Sequence, residues 1–305
     1  MLSVIICSKK PKLLRKVSEN IEETIGIPHE IISINNESGK YSIFQAYNLG
    51  AARSQLDYLC FMHEDVSLIT KDWGKIVIET LRDVSIGLIG IAGSTIKTKA
   101  PGSWRTGDLS LDRENVIQYY NDGRAAKRNY NNPLNEEISD VVCVDGVWMC
   151  CRKAIWAQNK FDESRYKGFH FYDLDFSMQI FRKSKVVVIY SILIEHYSKG
   201  NADASWLENA MIFDDKWGNS FPVCVHPMGQ NVIKNVEMNN YLYFINHLIH
   251  EEYHKKFIIK YTIKLLISYK HKLNNSYEIL LQLLRTYFPR TYVLIRNHYR
   301  SFASG

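Results

Sequence analysis

Apolar runs of strand length alternate with amphipathic segments through the first hundred residues. The apolar-rich runs cover residues 2–7, 29–35, 57–62 and 86–93. Between the first two runs, apolar side chains recur every three or four residues, which is the spacing of one helix face. Repeated strand–helix–strand order is typical of a doubly wound α/β sheet. The pattern predicts an α/β fold with ligands at the carboxyl ends of the strands.

Local signals mark where the predicted helices begin and end. Pro11 stands where the first turn of a helix tolerates proline, and Gly26 follows the last apolar residue of that helix. Ser42 and Gln45 have the spacing of a capping box, for a helix that continues to about residue 54. Asp72 is the predicted cap of a helix that begins at residue 73.

The regular alternation stops after residue 96. Residues 97–140 are polar and carry several aromatic residues, which predicts a loop-rich segment lining a binding groove. From residue 230 onward the pattern predicts three helices, at residues 234–250, 252–270 and 276–303. The chain therefore divides into a first domain over residues 1–229 and a helical C-terminal extension over residues 230–305.

The net charge of +6 is concentrated in this extension. It holds eleven lysines and arginines against four glutamates, whereas the first 229 residues have a net charge of −1. Lys256, Lys260 and Lys264 give one predicted helix a basic face, which favours contact with an anionic membrane. The alternative is a helix packed on the first domain or on a second copy in a homo-oligomer. Nucleic acid is not an expected partner, because this charge belongs to no known nucleic-acid-binding module.

The six cysteines are expected to be reduced. No two have C-x-x-C spacing, and Cys150 and Cys151 are adjacent, so the spacing does not favour a zinc site. The first residues are not typical of a secretory signal, because the lysines follow the apolar run. No apolar run approaches the roughly 20 residues of a membrane-spanning helix. These features favour a cytoplasmic protein.

The third apolar run leads directly into three ionisable residues, in the stretch YLCFMHEDV. Burying an unpaired charge costs roughly several kcal/mol. His63 and Asp65 are two residues apart, so on an extended segment they point to the same side and can share a divalent ion. The alternative is a solvated strand end with an ion pair.

Two further places offer candidate chemistry. Asp173 and Asp175 stand among aromatic residues at the start of an amphipathic stretch, where carboxylates often act as helix caps. Poor hydration also raises the pKa of a carboxyl group, which suits a general base. His196 follows an apolar strand and is a candidate third metal ligand; the alternative is a structural histidine.

Several common nucleotide-binding and hydrolase motifs are absent from the sequence. It has no G-x-x-x-x-G-K-[ST] loop, no G-x-G-x-x-G turn between a strand and a helix, and no G-x-S-x-G elbow. These absences count against a P-loop ATPase, a kinase, a Rossmann dehydrogenase and an esterase.

Taken in order, the motifs resemble family 2 and related glycosyltransferases with the GT-A fold. The segment LSVIICS matches the first strand of that family, and AYNLGAARSQLDYLCFMHEDV matches the segment that ends in an acidic D-x-D motif. The segment GFHFYDLDFSMQIFRKSKVVVI matches the segment with a Glu-Asp pair, and IEHYSKG matches the final histidine. The resemblance covers about residues 1–220 and is greatest to a branch, found in bacterial surface-glycan clusters, that has H-x-D in place of D-x-D.

The resemblance implies an inverting, metal-dependent transfer of a sugar from a nucleotide-diphosphate donor to a glycan or lipid-linked acceptor in surface polysaccharide synthesis. His63, Asp65 and His196 would hold Mn²⁺ or Mg²⁺, and Asp173 would be the catalytic base. The donor, a UDP-sugar or a dTDP-sugar, would be bound by four residues: Ser8, Asn35, His63 and Asp65. Three others would contact the acceptor or the transferred sugar: Asp145, Trp104 and Tyr172.

Three places depart from the family pattern. The second strand ends in NNES, where the family often has a pair of aspartates for the base, so the nucleotide can be uridine or deoxythymidine. His63 replaces the first aspartate of D-x-D, and Tyr172 replaces the glutamate of Glu-Asp. Two other classes of protein remain as alternatives. One is a non-catalytic GT-A-like protein that binds a glycan or a partner enzyme, although such a protein needs neither Asp65 nor Asp173. The other is a nucleotidyltransferase, which usually carries a glycine-rich loop after its first strand.

Overall fold

The computed structural model describes residues 1–120, 124–198, 200 and 202–269. The helices in these ranges are α1 (Pro11–Thr24), α2 (Ile43–Arg53), α3 (Trp73–Arg82), α4 (Lys153–Gln158), α5 (Tyr172–Phe181), α6 (Ala204–Trp217), α7 (Gln230–His250) and α8 (Lys255–Tyr269). The strands are β1 (Leu2–Ser8), β2 (His29–Asn35), β3 (Tyr58–Met62), β4 (Val66–Leu68), β5 (Ile86–Gly90), β6 (Ala92–Ser94), β7 (Ile96–Lys97), β8 (Asp112–Gln118), β9 (Lys127–Asn131), β10 (Ile138–Val141), β11 (Cys143–Val144), β12 (Trp148–Arg152), β13 (Lys185–Ile189), β14 (Ile194–His196) and β15 (Val223–Cys224).

A seven-stranded sheet forms the centre of the first unit, with the strand order β10-β13-β5-β12-β3-β1-β2. Strand β1 pairs in parallel with both β2 and β3. Its apolar residues are fully buried, because helices cover both faces of such a sheet. The predicted α/β class is confirmed. Strand β12 departs from the doubly wound pattern, since it runs antiparallel to both β3 and β5.

A second sheet has the order β11-β6-β8-β14-β4, with β9 paired to β8. The prediction that residues 97–140 are loop-rich was wrong at β8 and β9. Strand β8 has the polar sequence DRENVIQ, yet its first five residues are buried. Their polar groups find partners at a distance, as when Asn115 donates to the carbonyl oxygens of Tyr190 and Ile192. Hydrophobic periodicity does not detect a strand that is buried through paired polar groups.

One predicted cap is confirmed and another was wrong. The Ser42 hydroxyl accepts from the Gln45 backbone nitrogen at 3.2 Å, and the Gln45 side chain accepts from the Ser42 nitrogen at 3.0 Å. Asp72 occupies the cap position of α3, but its backbone is left-handed, with φ of 57°, and its side chain caps no backbone group. Its carboxylate instead lies 2.8 Å from the Lys75 ammonium.

The chain separates into two compact units, Met1–Gly229 and a second that begins at Gln230. In the second unit, α7 and α8 pack together, and Phe244 meets Tyr261 edge to face with ring centroids 4.9 Å apart. The third predicted helix, residues 276–303, lies outside the described residues. In the part of the chain that the structure describes, no helix combines the length and apolar character needed to cross a bilayer.

Asp175, in the first half of α5, forms an ion pair and a hydrogen bond with residues at the end of α6. Its side chain is buried and lies 2.8 Å from the Lys216 ammonium. It also accepts hydrogen bonds from the indole nitrogen of Trp217 at 2.8 Å and from the hydroxyl of Tyr166 at 3.2 Å. These contacts are to one carboxylate oxygen; the other accepts from the Gln179 amide at 2.9 Å and from Lys216 at 3.0 Å, so both oxygens have partners. Asp175 is therefore a structural carboxylate.

Replacing Asp175 with alanine is expected to lower the free energy of unfolding by about 3–5 kcal/mol, because Lys216 and Trp217 lose a buried acceptor. Chemical denaturation of Asp175→Ala measures this loss. The matched control is Asp215→Ala on α6, because the Asp215 side chain is 85% exposed. Its expected effect is below about 1 kcal/mol. Equal effects in the two variants would contradict the role given to Asp175.

Candidate active site and metal centre

The antiparallel pairing of β12 with β3 brings a tight turn against His63. Trp148 pairs with Met62 in this register, so the residues before β12 lie beside those after β3. The His63 backbone nitrogen donates to the Val147 carbonyl at 3.1 Å. The turn at Asp145 and Gly146 consequently forms one wall of the site.

The pairing of β14 with β4 brings His196 to Asp65. His196 is opposite Val66, and the Tyr197 nitrogen donates to the Asp65 carbonyl at 2.9 Å. Asp65 Oδ1 then lies 3.8 Å from Nδ1 of His63 and 3.8 Å from Nε2 of His196. One ligand atom from each of these three residues lies within 4.8 Å of the other two. Elsewhere in the described ranges, no comparable group of potential ligands was found.

These three residues fit a divalent metal ion. Metal–ligand bonds to imidazole nitrogen and carboxylate oxygen are about 2.0–2.2 Å long, so two ligands of one ion lie about 3–4 Å apart. Imidazole suits first-row transition metals, and carboxylate oxygen suits manganese and magnesium. The donor set therefore matches Mn²⁺ better than Mg²⁺.

The protonation states also suit metal binding. Burial, together with the nearby His196, lowers the pKa of His63 to about 4, so its ring is neutral at neutral pH. Burial alone would raise the pKa of Asp65, but His63 and the Ser198 hydroxyl outweigh it and hold that pKa below its usual value. Metal ions bind neutral imidazole and ionised carboxylate.

Asp173 lies in the first turn of α5, in contact with the Asp145–Gly146 turn. Its carboxylate accepts from the Gly146 nitrogen at 3.0 Å and from the Leu174 nitrogen at 2.9 Å. Burial and the charge of Asp145 raise the pKa of Asp173 to about 7. A carboxyl group with this pKa can accept a proton near neutral pH.

The structure does not present Trp104 or Tyr172 as stacking surfaces for a sugar. Tyr172 is 3% exposed, and its ring packs edge-on against Tyr47. Trp104 is 5% exposed; the Arg105 guanidinium lies 4.3 Å from its ring centre, and its indole nitrogen donates to Asp145 at 2.5 Å. Both rings are already covered, and the sugar contacts given to them stay predictions. Trp104 holds Asp145 in place.

Ser8 and Asn35 lie side by side at the same edge of the central sheet. They are paired residues at the ends of β1 and β2, and β1 also adjoins β3, which leads to His63. Asn35 is exposed, whereas Ser8 is buried and donates to the Glu64 carboxylate at 2.7 Å. The nucleoside role given to both residues stays a prediction.

Sequence reasoning missed the partners of the site residues. Glu64 accepts from the backbone nitrogens of Lys9 and Lys10, so it ties the end of β1 to the segment after β3. Alternation along an extended segment could have shown that Glu64 points away from His63 and Asp65. Gln118 lies beside His196, with Oε1 3.1 Å from Nδ1 of the histidine. No sequence signal marks Gln118, because 78 residues separate it from His196.

The class of protein, a glycosyltransferase, is shown by the match of the sequence to a family model. The sequence model of the Glycosyltransferase like family matches residues 3–219. The chain therefore belongs to the Glycosyltransferase like family. No curated protein matches the chain.

Two solved structures are similar to the chain at low identity. One is a crystal structure of GalNAc-T7 with UDP, GalNAc and Mn²⁺, with 11% identity, a TM-score of 0.49, and coverage of 82% of this chain and 57% of that one. The other is a crystal structure of S. aureus TarS 1-349 in complex with UDP-GlcNAc, with 10% identity, a TM-score of 0.46, and coverage of 82% and 72%. The chain thus spans little more than half the length of the GalNAc-T7 structure.

The raised pKa of Asp173 predicts a pH-dependent cost to stability. The folded protein binds more protons than the unfolded chain between the ordinary carboxyl pKa and about 7, so this residue lowers stability as the pH rises through that range. Between pH 5 and pH 8, Asp173→Asn is expected to gain about 2–3 kcal/mol of unfolding free energy relative to wild type. Denaturation at both pH values measures the difference. A constant difference would show that the pKa of Asp173 is not raised.

Proposed function

We propose that the protein is an inverting, metal-dependent glycosyltransferase that moves a sugar from a nucleoside-diphosphate donor to a hydroxyl of a glycan or lipid-linked acceptor. The observation that carries this proposal is the meeting of the cluster of His63, Asp65 and His196 with Asp173 at one rim of the sheet. Tyr172 joins the two, since it precedes Asp173 in α5 and its hydroxyl contacts His63 at 2.7 Å.

The chain provides a place for the charge that develops on the donor. Breaking the bond between the anomeric carbon and the diphosphate leaves negative charge on the departing oxygen. A divalent ion held by the three-residue cluster would supply positive charge at that oxygen. Asp65 keeps its negative charge at neutral pH because its pKa is lowered, so it is ready to hold such an ion.

Asp173 is the group proposed to activate the acceptor. A sugar hydroxyl is a poor nucleophile, and a carboxylate that takes its proton during attack strengthens it. The hydrogen bonds from Gly146 and Leu174 fix both oxygens of Asp173, and its pKa of about 7 matches this task. Attack from the face opposite the diphosphate, in a single displacement, inverts the anomeric configuration.

We propose that Ser8 and Asn35 border the nucleoside and that Asp145 contacts the transferred sugar or the acceptor. Support for the nucleoside site is its position at the carboxyl ends of parallel strands, where α/β sheets bind ligands. A UDP-sugar is the first donor to test and a dTDP-sugar the second. The proposed process is bacterial surface polysaccharide synthesis, as the motif resemblance implies.

The test is release of nucleoside diphosphate from a panel of nucleotide sugars, with and without Mn²⁺. Wild type is expected to hydrolyse one donor slowly, in a metal-dependent way. Asp65→Ala is expected to abolish release because it removes the shared carboxylate ligand. Asp173→Asn is expected to lower transfer to acceptor by about 10²–10⁴-fold while nucleotide binding is retained.

The matched control for this assay is His170→Gln. His170 lies in the same region, but its ring pairs with Asp203 at 3.7 Å and not with the metal cluster. Binding of nucleotide without turnover of any donor would favour a non-catalytic binding protein. Absence of both nucleotide and metal binding would refute the glycosyltransferase proposal.

We also propose that α8 contacts the anionic cytoplasmic leaflet of a membrane. Ile259 and Ile263 are 41% and 50% exposed, one turn apart, and Lys256 and Lys260 are exposed beside them. Exposed apolar side chains flanked by lysines are the arrangement of helices that lie in a lipid interface. Each lysine near an anionic surface contributes about 1 kcal/mol to binding.

Vesicle co-sedimentation tests the membrane proposal. Lys256→Glu combined with Lys260→Glu is expected to lower binding to phosphatidylserine vesicles by at least about tenfold, because two attractive charges become repulsive. Lys12→Glu combined with Lys16→Glu is the control, with the same spacing on the exposed face of α1. Equal loss in both double variants, or equal wild-type binding to neutral vesicles, would refute contact through α8.

A further inference from the structure

The two histidines of the metal cluster each have a partner on the ring nitrogen that faces away from Asp65. Nε2 of His63 lies 2.7 Å from the Tyr172 hydroxyl, and Nδ1 of His196 lies 3.1 Å from Oε1 of Gln118. A neutral imidazole carries one proton, and the partner of one nitrogen decides which nitrogen bears it. Each ring nitrogen that faces Tyr172 or Gln118 therefore bears the proton if that partner can only accept a hydrogen bond from it.

The Tyr172 hydroxyl accepts a hydrogen bond from the His63 ring. Tyrosine has one hydroxyl proton, and here it is donated to the Gly146 carbonyl at 2.9 Å, an atom that can only accept. The hydroxyl oxygen is then the acceptor for Nε2–H of His63. Nδ1 of His63, which faces Asp65, is consequently left with its lone pair free.

Gln118 imposes the opposite arrangement on His196. The two protons of its amide nitrogen face three carbonyl oxygens, those of Tyr119 and Ser198 at 2.8 and 2.7 Å and that of His196 at 3.2 Å. These bonds orient the amide oxygen toward Nδ1 of His196, which must donate to it. The Ser198 hydroxyl, whose proton is donated to Asp65, lies 3.3 Å from Nε2, beyond the usual hydrogen-bond distance of about 3.2 Å.

We propose that Tyr172 and Gln118 are positioning residues of the metal site, each accepting a hydrogen bond from one ring N–H so that the two unprotonated nitrogens converge on Asp65. This inference rests on the proposed function. It adds that the site is set for a metal ion before any ion arrives, since neither histidine has to change tautomer. Such outer partners typically change metal affinity by about 10–100-fold.

Close packing holds the Tyr172 hydroxyl in place. A Cβ atom added at Gly146 would lie 2.2 Å from that hydroxyl, so only glycine permits this approach. The ring is buried against Phe44 and Tyr47, which leaves it little freedom to turn. The hydroxyl is thus held between the Gly146 carbonyl and the His63 ring.

The tautomers are tested directly by the ring nitrogen chemical shifts of the metal-free protein near neutral pH. Long-range ¹H–¹⁵N correlation spectra distinguish protonated from unprotonated ring nitrogens, and His63→Gln and His196→Gln identify the two sets of peaks. His63 is expected to carry its proton on Nε2 and His196 on Nδ1. The same tautomer in both rings would overturn the proposal.

Mn²⁺ binding followed by electron paramagnetic resonance tests the consequence for affinity. Tyr172→Phe and Gln118→Met are each expected to weaken Mn²⁺ binding by about 10–100-fold. Tyr166→Phe is the matched control, because it also removes a buried hydroxyl from a ring packed on Phe44, and that hydroxyl contacts Asp175 instead of a histidine. Melting temperatures of the three variants separate loss of metal affinity from loss of fold.

The outcomes distinguish this inference from the proposed function. If wild type binds Mn²⁺ and Tyr172→Phe binds it equally well, the positioning role is refuted and the proposed function stands. If Tyr166→Phe weakens binding as much as Tyr172→Phe, the effect is one of general packing and the positioning role is again refuted. If wild type binds no Mn²⁺, both the metal site and this inference are refuted. Release of nucleoside diphosphate from a donor without metal would then still support a transferase, and no release would count against it.

Discussion

The antiparallel insertion of β12 between β3 and β5 is the constraint on which the site depends. A parallel strand in that place would carry its preceding turn to the opposite edge of the sheet. Because β12 runs the other way, the turn at Asp145 and Gly146 lies beside His63, where β3 ends. The first turn of α5 then packs on the same turn, and Asp173 and Tyr172 both bond to Gly146.

This arrangement gathers ionisable groups that would be costly to bury separately. Asp145 and Asp173 are close enough for the charge of one to raise the pKa of the other, and burial adds to the effect. Backbone nitrogens and the Trp104 indole offset part of that cost. A proton shared with a substrate, or a bound cation, would offset more. The groups that make the site unstable when empty are thus the ones proposed to act on substrate.

Two of the positions that depart from the family pattern contact each other. His63 replaces an aspartate and Tyr172 replaces a glutamate, and their side chains meet at 2.7 Å. In this geometry two carboxylates would repel, and one would have to be protonated. A neutral imidazole and a phenol form a hydrogen bond without adding charge. The pair of residues therefore forms one hydrogen-bonded unit.

The sequence by itself determined the α/β class, the strands β1 to β3, the capping box at Ser42 and Gln45, and the ionisable residues at strand ends. Each of these features depends on residues close together in sequence, as a run of apolar side chains or a spacing of a few residues. Tertiary structure alone decided that β8 is a buried strand, that Tyr172 and Trp104 are covered, and that Gln118 serves His196. Distant partners are decisive here: Gly146 is 26 residues from Tyr172, and His196 is 78 residues from Gln118. Local periodicity carries no information about such partners, because strand pairing and packing bring them together only when the chain folds.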